Sequence, residues 1–127
     1  MKLLESLKSV LLQEIASQDE LKNAIRNKDV IIINYQGDLP GGDGIREIEP
    51  VCMGVTKRGN VAIRAWQIGG SSHTQTTGEQ EIPGWRIYLV NKILSSNLTG
   101  EKFNEPRPGF NPNGDKSFTS VYEITKF

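Results

Sequence analysis

Val30-Ile31-Ile32-Ile33-Asn34-Tyr35 is the stretch on which the fold turns. A run this rich in β-branched residues reads as a buried strand. Upstream of Asp29 the period is helical instead. Leu3, Leu4, Leu7, Val10, Leu11 and Ile15 recur at helical spacing, with Lys2, Glu5, Lys8 and Glu14 mostly opposite. That predicts an amphipathic helix over 2–16. Ser17-Gln18-Asp19-Glu20 then has capping-box spacing, since a Ser hydroxyl can accept from the N3 amide while Glu20 reaches back. A second short helix over about 18–28 follows, burying Leu21, Ala24 and Ile25.

Downstream of Tyr35 the sequence alternates turn signals with short apolar runs. Gln36 to Gly44 is a turn-rich loop, and a strand returns at about 45–56. Lys57-Arg58-Gly59-Asn60 reads as a tight hairpin turn, because Gly and Asn tolerate positive φ. Further strands are expected at about 61–68, 85–93 and 118–125. A Gly/Ser/Thr loop separates the first two of these over 69–83. Residues 104–115 hold three prolines and two glycines and must be irregular.

The composition narrows the function classes. Fifteen Lys+Arg balance fifteen Asp+Glu, which disfavours a strong nonspecific duplex binder but allows a local basic face. One cysteine, Cys52, excludes an internal disulfide and a zinc cluster built on cysteine. Its apolar neighbours Val51 and Met53 predict a buried thiol. The 2–16 stretch is broken by charges and has no small-residue cleavage site, so it does not read as a signal peptide. No apolar run reaches the roughly 20 residues of a membrane span. A cytoplasmic protein is the expectation, and the chain length fits one domain: a helix over 1–17 and a barrel over 18–127 with an irregular segment and final strand.

The usual catalytic sets are missing. His73 is the single histidine, in a polar loop far in sequence from Cys52, which argues against a metal site or a Cys–His nucleophile. Glu79 and Glu81 lie in that loop with no apolar pocket in view. Asp38 and Asp43 lack calcium-loop spacing, and Gly41-Gly42-Asp43-Gly44 lacks the Lys-Ser/Thr of a phosphate loop. A non-enzymatic protein without a cofactor is expected.

Helix first, then about five short strands joined by hairpins, is the order of a small Sm-like or SH3-like barrel. The fold class expected is therefore mainly β, a five-stranded barrel preceded by one or two helices. Over about 20–103 the blocks resemble the WYL family of Sm-like barrels. Tyr35 closing the first strand, Arg46 with Glu49-Pro50, the hairpin into Arg64-Ala65-Trp66-Gln67, and Ile93 closing the Gly84-Trp85-Arg86 strand carry the likeness. The version here looks like stand-alone members of bacteria and their phages. The namesake Trp-Tyr-Leu run is replaced by Val61-Ala62-Ile63, and Leu89 and Lys92 stand where members often carry Arg. Members are commonly fused behind a winged helix, which two short helices are too few to supply. The resemblance implies a ligand-sensing or single-strand-binding module in nucleic-acid regulation, repair or defence.

The candidate site follows from strand alternation. With Val61, Ile63 and Ala65 toward the core, Arg64 and Trp66 face out. Arg86, Tyr88 and Lys92 share one face of their strand, away from Trp85, Ile87 and Leu89. An outward Arg64–Trp66 pair beside Arg86 and Lys92, with Arg46 as a third arm and Tyr88 as a stacking surface, suits phosphate anchoring and base stacking. Single-stranded nucleic acid or a nucleotide is the expected ligand. Packing is the competing role for Trp66, Trp85 and Tyr35. The alternative function is an interaction protein that assembles with itself or a partner through helix 2–16 and the barrel edges.

Overall fold

The computed structural model describes residues 18–36, 44–70 and 83–127. The 2–16 helix, Ser17 of the capping box, Asp38, Asp43, His73, Glu79 and Glu81 lie outside them. Helix α1 spans 18–27 and buries Leu21, Ala24 and Ile25, as their spacing predicts. It ends at Lys28, whose φ of +59° turns the chain directly into the first strand. The strands are β1 (Asp29–Tyr35), β2 (Gly44–Thr56), β3 (Val61–Gly70), β4 (Gly84–Leu89), β5 (Ile93–Lys102) and β6 (Phe118–Ile124). A 3₁₀ turn, Val90–Lys92, joins β4 to β5.

All pairings are antiparallel, in the order β4-β3-β2-β1-β5, with β6 added to β2. The mainly β class with a preceding helix holds. Among the described residues the sheet has six strands and stays open, because β4 and β5 do not pair with each other. The additional strand is β5, in a stretch without apolar alternation. The strand expected over 85–93 stops at Leu89, where the 3₁₀ turn redirects the chain onto β1.

β2 organises the sheet. Its first half pairs with β1 through Ile48, its second half with β6 from Cys52, and its other edge with β3. The register with β3 slips between Pro50 and Cys52, where Val51 is the extra residue of a bulge. The bulge changes the alternation, so Arg46 and Ile48 share a face with Met53. Val51 and Cys52 both turn to the opposite face.

Both faces are therefore covered. On the first, α1 packs onto Ile31, Ile33, Ile48, Met53, Ile63, Ala65 and Tyr88. Burying Leu21 and Ile25 there contributes about 1.5–3 kcal/mol each. On the second, Val30, Val51, Cys52 and Ala62 pack with Phe103 and Phe118, and Trp85, Ile87, Leu89 and Phe110 close the edge. The burial expected for Cys52 is observed. The irregular segment between β5 and β6 runs across this second face. Gly54 lets β6 approach, because a Cβ there would lie far inside contact distance of the Ser120 carbonyl and 3.0 Å from the Phe118 ring. The expected hairpin is present, with Gly59 at φ +86° and its amide donating to the Thr56 carbonyl at 2.9 Å.

Candidate functional site

The six residues singled out from the sequence do not form one surface. Ala65 pairs with Arg86 and Trp66 with Trp85 across β3 and β4. Paired residues share a face, so Arg86 lies on the first face with Ala65, and Trp66 lies on the second with Trp85. The expected outward Arg64–Trp66 pair beside Arg86 is corrected accordingly. Alternation within each strand was legible. The register that decides which alternate sets meet was not.

The first-face cluster gathers at one end of the sheet. Arg46 is only 4% exposed. Its guanidinium donates to the Gly44 carbonyl at 3.1 Å. It also lies 5.1 Å from the Tyr35 ring centre and 5.8 Å from that of Tyr88. The two rings meet edge to face at 5.0 Å. The Tyr88 hydroxyl donates to Gln67 Oε1 at 3.1 Å, and Gln67 Nε2 donates to the Gly69 carbonyl at 3.2 Å. The Tyr35 hydroxyl accepts the Leu89 amide at 3.0 Å. Burial pushes the Tyr88 phenol up, while Arg46 and Arg86 pull it back down. Both cations thus act on one phenol.

Arg86 and Lys92 lie nearer the surface of this end, each half-buried. Arg86 Nη1 donates to the Trp85 carbonyl at 2.8 Å. Lys92 closes the 3₁₀ turn, and its carbonyl accepts the Gln36 amide at 2.9 Å. Arg46, Arg86 and Tyr88 are therefore brought together, with Lys92 on the turn that follows Tyr88. Tyr35 and Gln67 belong to the cluster as well. The β-rich run ending in Tyr35 signalled a packing role, and Gln67 stood in the sequence only as the last residue of the Arg64-Ala65-Trp66-Gln67 block, with no sign of this contact.

Arg64 and Trp66 belong to a second constellation. Trp66 and Trp85 meet edge to face, with centres 5.3 Å apart. Arg64 Nε lies 3.2 Å from Asp115 Oδ2, and its guanidinium is 5.5 Å from the Trp85 ring centre. Arg107 lies 5.6 Å from the Trp66 ring centre and makes a two-pronged pair with Glu49. Trp85 Nε1 donates to the Pro108 carbonyl at 2.7 Å. Here the chain's own irregular segment occupies the aromatic face. Arg107 and Asp115 were missed because a Pro/Gly-rich stretch has no period to reveal what it touches. The sole signal was the placement of Arg107 between two prolines, and Asp115 had none.

Among the described residues, no helix is long and apolar enough to cross a membrane. No protein-family model matches the sequence, and no curated protein matches it. Among solved structures it is similar to proteasome accessory factor B/C (PafBC) of Arthrobacter aurescens. The TM-score is 0.56 and the identity 18%, over 76% of this chain and 13% of that one. At that identity the likeness is one of fold, shared with a small part of a much longer chain.

Proposed function

We propose that this protein is a WYL-related, non-enzymatic binding module that recognises a phosphate-bearing ligand, single-stranded nucleic acid or a nucleotide signal. Its setting in this reading is nucleic-acid regulation, repair or defence in the cytoplasm of a bacterium, with a phage-encoded protein as a variant of the same reading. The observation that carries it is that Arg46, set against the Tyr35 and Tyr88 rings, shares the first face of the sheet with Arg86, which pairs with Ala65. Fixed guanidinium groups suit phosphate recognition. The spaced blocks resembling the WYL family and the fold shared with a part of PafBC support the reading.

The division of labour follows from burial. Arg46 is too enclosed to be the first contact and serves as a brace for the two tyrosines. Arg86 and Lys92 supply the outer positive charge. Arg64 and Trp66 fall outside this site. The test is fluorescence anisotropy with labelled single-stranded DNA, single-stranded RNA and duplex DNA at two salt concentrations, alongside thermal shift with nucleotides. Salt-sensitive, single-strand-selective binding or a nucleotide-induced rise in Tm is expected. The absence of both responses overturns the reading.

A second reading is an interaction protein that assembles through its sheet edges. The exposure of Leu94 and Leu98, 61% and 68%, on the outer strand β5 favours it. Light scattering tests the self-assembly form of this reading, which requires an oligomer that the first reading does not. The assembly role proposed for helix 2–16 is tested by the same measurement after its deletion.

A further inference from the structure

The second face carries a separate inference, independent of the phosphate-binding reading because it uses the opposite side of the sheet. We infer that the Trp66–Trp85 face is a peptide-binding face selective for a segment of the form Pro-Arg-Pro, with residues 106–108, which lead into the turn closed by the Phe110 amide on the Arg107 carbonyl, as its in-chain occupant. Three recognition elements converge on that segment. Glu49, its side chain 5% exposed, holds the Arg107 guanidinium through two contacts of 3.0 and 2.8 Å. Trp66 faces the same guanidinium at 5.6 Å. The Trp85 indole grips the main-chain carbonyl of Pro108 at 2.7 Å. An indole N–H to a carbonyl, with aromatic rings beside prolines, is the chemistry of proline-rich peptide recognition, where fixed φ angles lower the ordering cost.

The occupant is held as a ligand is held. Residues 104–109 are all exposed, and a space of about 530 Å³ between Glu49 and the segment's own residues, Lys102 to Pro108, runs beside them. Beyond Gly109, whose φ is +91°, Phe110 packs against the core of the second face. The charges favour a peptide over a nucleic acid here. Arg64 and Arg107 are matched by Asp115 and Glu49, and a buried carboxylate on this face selects a cation.

The test uses the full chain and a labelled peptide of the sequence of residues 103–112. In the wild type, the tethered segment competes at an effective concentration of about a millimolar, so peptide binds weakly. Arg107→Ala removes the internal guanidinium and keeps Glu49. It should bind the peptide at least about tenfold tighter than the wild type. Binding should vanish when the peptide's arginine is replaced by alanine, and again in the double variant Glu49→Gln/Arg107→Ala. A folded Arg107→Ala protein that ignores the peptide overturns the inference, as does binding indifferent to the peptide's arginine. Should Arg107→Ala fail to fold, the wild type is titrated with excess peptide and the Trp85 indole proton followed by NMR. A saturating shift supports the inference, and an unmoved resonance overturns it.

Discussion

Arg107 and Glu49, 58 positions apart, form a bidentate pair at 3.0 and 2.8 Å that ties the irregular segment to the middle of β2. Glu49 is enclosed and Arg107 is 43% exposed at its side chain. Solvent screening on the arginine side limits what the pair contributes. Removing Arg107 still strands an enclosed carboxylate. Arg107→Ala should therefore cost about 1–2 kcal/mol. Arg107→Lys should recover only part of this, because an ammonium cannot make the fork. Urea midpoints of the two variants check the order.

Alkaline unfolding should expose the two raised acids. Burial, reinforced by Asp115, pushes the Cys52 thiol from 9.0 up to about 12. Tyr88 is raised as well, burial again being the larger cause. Between the unfolded and folded values the native state holds a proton that the unfolded chain releases. Stability is thus intact below the unfolded values and falls as pH rises from about 9 towards 12 for Cys52. Each group contributes a slope of at most about 1.4 kcal/mol per pH unit. Cys52→Ala should decline less steeply in that window. Equal slopes in denaturant titrations across it would rule the thiol out.

Gly54→Ala tests the close approach of β6. The added methyl meets the Ser120 carbonyl and the Phe118 ring, both of which are fixed by strand pairing. A loss of about 2–4 kcal/mol is expected. Hydrogen exchange should show β6 amides losing protection ahead of β1.

Tyr88→Phe isolates one bond within the first-face cluster. The ring stays, with its packing against Tyr35 and its contact with Arg46. The hydroxyl donated to Gln67 is lost, and Gln67 is fully buried. The expected cost is about 1–2 kcal/mol, read as a shift in Tm.

Arg86→Ala addresses ligand binding. It should weaken single-strand binding and lower the slope of log affinity against log salt by about 0.7, the share of one phosphate contact. An unchanged slope would sink the role proposed for Arg86.

Where the sequence carried a period, the fold was legible. The 30–35 run, the Gly59 turn and the spacing of Leu21, Ala24 and Ile25 all indicate elements that are present. β5 was not legible, because an outer strand with one edge unpaired has no need of alternating apolar residues, and Leu94 and Leu98 are exposed. The end of β4 was hidden by continuous apolar character from Ile87 into the 3₁₀ turn. The candidate site was half legible. Arg46, Arg86 and Tyr88 do converge, while Arg64 and Trp66 were assigned to their company because cross-strand register is a property of pairing. The bulge at Val51 resets alternation in β2, and Pro50, which has no amide to donate to a central ladder, is its one signal in the sequence.

The β2 strand has a consequence for biosynthesis. Its second half pairs with β6, and Thr125 Oγ1 donates to the Ile25 carbonyl at 2.5 Å from 100 positions away. The residues that seal the second face leave the ribosome after every strand they cover. Val51, Cys52 and Trp85 therefore wait uncovered in the nascent chain. Contacts this distant make folding slow relative to a helical protein of the same size. During that interval the half-made sheet is a natural client for a chaperone that shields apolar surface.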